Sequence, residues 1–289
     1  MITNYLCELP KAKPGSKIGI YIPFSGGFDS TCLLLDLLKQ AKDNSSYYSF
    51  NTITTQLYFS GYKIPREEQA REKIKRYINR VFPGVNINYS EIEINKAKNY
   101  TLHQYGMILQ QIYAFLSTLT IDIISNDKSY LYFSFICGDQ ICCFENEIKE
   151  ICYNCLKIQY SKMSMEEIKK KVIIEFPYKI NYKEEILEWL ITNNREVMDY
   201  CTTCDSFDSD EDNCGKCTPC RALKAALINI YVDPQEKEEL KEVAYEILKA
   251  RFAVNWKIDI KYFPAVKTEI IDNTINEVVN LTSGDKESD

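Results

Sequence analysis

Lys17-Ile18-Gly19-Ile20-Tyr21-Ile22-Pro23-Phe24-Ser25-Gly26-Gly27-Phe28-Asp29-Ser30 is the stretch that decides the fold. Residues 17–22 are a short apolar run rich in β-branched side chains, which predicts a buried strand. The polar turn PFSGGFDS follows. Thr31 to Lys42 then carries Cys32, Leu33, Leu34, Leu35, Leu37 and Leu38, an apolar helix. Strand, glycine turn and helix begin an α/β unit. Adjacent glycines permit positive φ and close approach of a ligand to the backbone. Successive N–H groups at a helix N-terminus form an anion site, and Ser25 and Ser30 add hydroxyl donors. Asp29 repels phosphate unless a divalent cation lies between them, so the turn implies Mg²⁺. The plainer alternative is a turn capped by Ser and Asp. Neither GxxxxGK[ST] nor GxGxxG occurs in the chain.

Outward from this unit the alternation continues. Thr52 to Phe59 reads as a strand, and a charged helix runs from Pro65 to about Arg80. Val85 to Ile94 alternates like a strand, Gln104 to Leu119 reads as a helix, and Tyr130 to Ile136 as another buried strand. This rhythm predicts an α/β, Rossmann-like parallel sheet with helices on both faces. Residues 144–170 look helical and charged, 173–176 form a short strand, and Lys183 to Thr192 an amphipathic helix. Two helices, about 219–231 and 235–253, close the reading. The expected division is a Rossmann-like domain over 1–195 and a cysteine-bearing, helical C-terminal region over 196–289.

The 289 residues are 45% hydrophobic and 26% charged, the balance of a soluble globular chain. The net charge is −6, and Asp205, Asp208, Asp210, Glu211 and Asp212 supply −5 of it in one loop. Bulk charge therefore argues against nucleic acid as a partner. Residues 63–80 carry seven basic and three acidic side chains. Arg66, Arg71, Lys75 and Arg76 could meet a phosphate or an acidic partner there, and a solvated helix face is the favoured reading. The most apolar long stretch, Gly106 to Ile124, contains Gln110, Gln111, Ser117 and Asp122. It reads as a buried helix running into a strand, not a membrane span. The opening residues lack a signal-peptide core, and the expected location is cytoplasmic.

Twelve cysteines cluster unevenly. In a cytosolic chain such clustering points to metal. Cys214, Cys217 and Cys220, with either Cys204 or Cys201, offer four thiolates for Zn²⁺. A four-cysteine iron–sulfur cluster is the chemical alternative. Cys142, Cys143, Cys152 and Cys155 form a looser group, read as buried thiols. His103 is the sole histidine and is read as a packed or surface residue.

SGGFDS resembles the SGGxDS loop of the N-type ATP pyrophosphatases (PP-loop enzymes), which split ATP between its α and β phosphates and adenylate a substrate. With the spacing Cys204-x9-Cys214-Gly215-x-Cys217-x2-Cys220, the chain resembles one family closely: the 7-cyano-7-deazaguanine synthases (QueC). The family cysteine also follows Thr, as Cys204 follows Thr203, which favours Cys204 over Cys201. Glu175-Phe176-Pro177 with Lys183 and Glu185 resembles the family's stretch before the zinc region.

The resemblance implies ATP, Mg²⁺ and Zn²⁺ as cofactors. Ser25, Gly26, Gly27 and Ser30 would hold the pyrophosphate end of ATP, with Asp29 acting through Mg²⁺. Lys183 would neutralise phosphate charge. Asp139 and Gln140 follow the fourth strand, where such sheets bind ligands, and would read the base. The implied substrate is 7-carboxy-7-deazaguanine, whose adenylated carboxylate goes to an amine. Three family stretches are replaced here, at residues 58–63, 100–105 and 137–145. That pattern resembles the QueC-like branch found in anti-phage (CBASS-type) systems. The expected acceptor is then a protein amine from the same operon, beside ammonia in ordinary nitrile synthesis. Members often form homodimers. The rival expectations are a tRNA-modifying PP-loop adenylase or thiolase, and a non-catalytic ATP-binding zinc scaffold.

Overall fold

The computed structural model describes residues 5–57, 63–94, 104–119, 122–204, 214–233 and 235–252. Five strands form one parallel sheet: β1 (Ile18–Pro23), β2 (Tyr48–Leu57), β3 (Ile87–Ile94), β4 (Lys128–Tyr132) and β5 (Val172–Glu175). Their order is β3-β2-β1-β4-β5. β1 lies in the middle and is buried along almost its whole length, which is why its sequence is continuously apolar and not alternating.

The helices fall on two sides, as right-handed crossovers require. α1 (Phe28–Ala41) and α2 (Lys63–Val81) follow β1 and β2. α7 (Lys183–Asn194) joins them: Lys39 Nζ on α1 donates to Asn193 at 2.6 Å, and Tyr77 on α2 donates to Asn194 at 2.8 Å. On the other face lie α3 (Gln104–Ser117), α5 (Glu145–Gln159) and α6 (Met165–Lys171). Their Phe115, Leu116, Cys152, Leu156 and Ile168 pack with Tyr21, Leu131, Phe133 and Ile174 of the sheet side. The described residues up to Ala226 form one compact unit, and those from Leu227 a second. α8 (Thr218–Val232) runs across that boundary, and α9 (Glu238–Phe252) belongs to the second unit. No described helix is long and apolar enough to cross a membrane.

The structure departs from the sequence reading at three places. β2 begins at Tyr48, four residues before the expected Thr52. Its polar side chains hid it, yet Thr52 donates to Asn88 O and Thr54 to Phe24 O, so neighbouring backbone satisfies them. β4 stops at Tyr132, short of the expected Ile136. The rings of Phe133, Phe135 and Phe176 then stack on one another, 5.3–6.1 Å apart. The expected run of the central helix into a strand is instead a short helix, α4 (Asp122–Ser125), before β4. Residues 144–170 are two helices. Ser164 starts the second with a reciprocal capping box to Glu167.

Asp36 on α1 is fully buried, and its carboxylate accepts from the N–H groups of Leu6 and Cys7 at 2.9 and 3.0 Å. Burial, partly offset by these bonds, pushes its carboxyl from 3.8 up to about 6. The folded state therefore keeps this proton at pH values where the unfolded chain has lost it. Stability falls as pH rises through about 4 to 6, by on the order of 2–3 kcal/mol from this group. Urea denaturation across that window is expected to show the slope in the wild type. It should be flattened in Asp36→Asn.

Candidate functional site

The strand order reverses at β1, so the crevice beyond the carboxyl ends of β1 and β4 is the place where such sheets bind ligands. Three segments converge there. The first is the glycine turn after β1. Gly26 has φ +83°, a left-handed conformation that a side chain resists. A Cβ there would also stand 3.1 Å from Arg71 Cγ and 3.3 Å from Arg71 N. Gly27 is the N-cap of α1 and no side chain caps the helix. The Ser and Asp capping alternative is therefore corrected. Ser25 Oγ instead accepts from Gly27 N at 3.2 Å and lies 3.3 Å from Ser30 Oγ. Gly27 at the N-cap has no side chain to cap α1, which suits this helix N-terminus to an anion.

The second segment is the start of α7. Lys183 Nζ pairs with Asp29 Oδ1 at 2.6 Å, the two side chains being 12% and 29% exposed. The ammonium also sits 5.7 Å over the Phe28 ring. Lys183 is thus no free surface lysine. It stands at the loop with its charge held by Asp29. Tyr182 and Glu185 start this helix, the Glu185 carboxylate accepting from Tyr182 N at 2.7 Å.

The third segment follows β4. Gly138, at φ +95°, turns the chain, and Asp139 Oδ2 accepts from Ile136 N at 2.9 Å. Burial pushes the Asp139 carboxyl up and the Asp29 carboxylate adds to this, while the Ile136 N–H and the Lys183 ammonium pull it down. Asp29, Lys183 and Asp139 therefore share one electrostatic environment. Gln140 opens the short 3₁₀ turn Gln140–Phe144. His103 lies outside the described residues.

α2 holds a residue that the sequence reading misassigned. Arg66, Arg71, Lys75 and Arg76 were expected on a solvated face, but Arg71 is completely buried. The signal was present in the helical period. Residue 71 falls on the stripe of Ala70, Ile74, Tyr77 and Ile78, which is the buried side.

The cysteines form the other half of the site. Cys204, Cys214, Cys217 and Cys220 bring their Sγ atoms within 4.8 Å of one another. Among the described residues this is the one group of three or more candidate metal ligands, and Cys201 lies outside it. Cys152 packs instead in the apolar core of α3, α5 and the sheet, and Cys142 Sγ contacts Ile136 O. A single Zn²⁺ with Zn–S near 2.3 Å sets its sulfurs about 3.8 Å apart. The four thiols need only a slight contraction to reach that. A cubane cluster spreads its thiolates further, because each binds a different iron. The closed all-thiolate set fits one structural ion. Backbone N–H groups already face the sulfurs: Cys214 N to Cys204 Sγ at 3.5 Å, and Lys216 N and Cys217 N to Cys214 Sγ at 3.4 Å. Burial alone would push the Cys214 thiol up, but those of Cys217 and Lys216 outweigh it and bring it down to about 7. Thr202 N donates to Gly26 O at 3.2 Å, so the chain entering the cysteine set is bonded to the glycine turn.

No known family profile matches the chain, and no curated protein matches it. Among solved structures it is similar to the U34-tRNA thiolase NcsA from Methanococcus maripaludis with its [4Fe-4S] cluster. The identity is 13% and the TM-score 0.42, with 86% of this chain and 77% of that one covered. A likeness this distant carries no ligand and no reaction across.

Two outcomes are expected at the site. Gly26→Ala forces a side chain into a left-handed position against Arg71. It should cost on the order of 1–3 kcal/mol in urea denaturation. Purified protein should contain one zinc per chain by elemental analysis. Cys217→Ser should lose the metal and melt at a lower temperature.

Proposed function

We propose that this chain is an ATP-dependent adenylating enzyme of the PP-loop kind, acting on the carboxylate of 7-carboxy-7-deazaguanine and passing the acyl group to an amine. The observation that carries the reading is the uncapped glycine turn at the switch point, with Lys183, Asp29 and Asp139 gathered around it. A carboxylate is a poor electrophile. Its oxygen attacks the α-phosphorus of ATP, the bond to the β-phosphate oxygen breaks, and pyrophosphate leaves. An amine then attacks the acyl carbon, and AMP departs with the bonding electrons.

The chain's own groups supply orientation and charge. The N–H groups of residues 26–30 with the Ser25 and Ser30 hydroxyls hold the departing pyrophosphate. Mg²⁺, when bound, supplies the countercharge that lets Asp29 face phosphate. Lys183 exchanges the Asp29 carboxylate for a phosphate oxygen, which its position at 2.6 Å from Asp29 makes a short movement. Asp139, with Gln140 beside it, accepts from the N–H edge of a guanine-like base. The four cysteines hold their metal as a structural clamp and take no part in the bond changes. The acceptor amine belongs to a partner protein, as the altered stretches at 58–63, 100–105 and 137–145 suggest, or is ammonia on the way to the nitrile.

The test is AMP release. The metal-loaded protein is incubated with ATP and Mg²⁺, alone, with 7-carboxy-7-deazaguanine, and with bulk tRNA, and the products are read by mass spectrometry. AMP that depends on the deazaguanine is the expected result, and a base left as an adenylate or amide marks the protein-acceptor branch. AMP that depends on tRNA would transfer the reading to a tRNA-modifying enzyme. ATP binding without turnover under every condition would leave a scaffold.

A further inference from the structure

Arg71 on α2 has no task in the adenylation described above, yet among the described residues it is a fully buried cation. Its side chain has 0% exposure, and its Nε, Nη1 and Nη2 are buried without a hydrogen bond. Its stem lies against the glycine turn, with Cγ 3.1 Å from where a Cβ of Gly26 would be. Among the described residues its countercharge is Glu91 Oε1 on β3, 3.4 Å from Nε. That carboxylate is divided, because Lys75 Nζ stands 3.4 Å from the same oxygen. Lys75 also pairs with Glu72 at 2.8 Å. Lys75 is likewise the main cause that holds the Glu72 carboxyl down, with Arg76 and Arg71 adding to it. Two carboxylates thus serve three cations here, and the buried cation is the least well served. A guanidinium stripped of water and left without hydrogen bonds is among the costliest groups a fold can carry.

Its place explains why it is kept. The Arg71 stem packs on the glycine turn while its Nε stands beside Glu91 of β3, and Lys183 pairs with Asp29 in the first turn of α1. The same turn carries two serine hydroxyls and opens the helix. Several N–H and O–H donors with one cation packed behind the turn and another paired at its helix suit an anion of high charge and many oxygens, which is a polyphosphate and not a single carboxylate.

We infer that Arg71 is the buried countercharge of the glycine turn, a positioning residue whose positive charge behind Gly26 is balanced when a pyrophosphate group sits on the turn. The inference rests on the adenylation reading only for what the pyrophosphate is attached to. Inorganic pyrophosphate by itself is therefore a sufficient probe.

Calorimetry on the metal-loaded full chain, with Mg²⁺ present, compares inorganic pyrophosphate, ATP and adenosine. The proteins are wild type, Arg71→Met, Arg71→Lys and Glu91→Gln. Arg71→Met should weaken pyrophosphate and ATP by on the order of tenfold or more and leave adenosine unchanged. Its ligand-free melting temperature should rise, since the orphaned charge is gone. Arg71→Lys should recover part of the affinity. Glu91→Gln should bind pyrophosphate at least as well as wild type. Wild-type pyrophosphate affinity in Arg71→Met would overturn the inference and leave the adenylation reading standing. So would equal losses in Arg71→Met and Glu91→Gln, which would mark a structural ion pair. A wild type that binds neither pyrophosphate nor ATP would remove both.

Discussion

The site depends on how closely the backbone at Gly26 is approached. The α2 backbone and the Arg71 stem press on it from one side, and its carbonyl takes the Thr202 N–H. Only a residue without a side chain and with positive φ meets both demands. Because Gly26 turns there, Gly27 can stand at the N-cap of α1. The sheet supplies the fixed frame. β1 is central and buried along almost its whole length, so the turn that ends it is held by the middle strand of the sheet.

Charge at this crevice is stored in pairs that can be exchanged. Lys183 and Asp29 satisfy one another while the site is without its ligand. In the proposed reading a phosphate with a divalent cation would offer each of them a stronger partner at little cost in motion, which is preorganisation in the useful sense. Asp139 shares that environment, and burial holds its carboxyl above the ordinary range. A carboxyl so placed is sensitive to what Asp29 and Lys183 are bound to.

Much of this was legible in the sequence. The apolar run, the glycines and the leucine-rich helix after them state an α/β unit with little ambiguity, and the Cys214-Gly215-x-Cys217-x2-Cys220 spacing states a metal set. β2 was half hidden because buried threonines look polar until their backbone acceptors are known. The end of β4 was overrun because Phe133 and Phe135 have strand-like composition but spend it on ring stacking. Arg71 was misplaced for a related reason. Composition marks a basic helix as solvated, and only its phase against Ala70, Ile74 and Ile78 shows which of its cations turns inward. Local spacing allows Cys201 or Cys204; the resemblance favoured Cys204, and the structure gathers Cys204 with the other three thiols.

The bond from Thr202 N to Gly26 O joins two binding places two residues from the first metal ligand, Cys204. Whatever orders the cysteine set also orders one wall of the turn. In the proposed reading a metal on the cysteines and an anion on the turn are then linked thermodynamically, each tightening the other by the same factor. A chelator would then weaken the grip on the anion while the sheet is still folded.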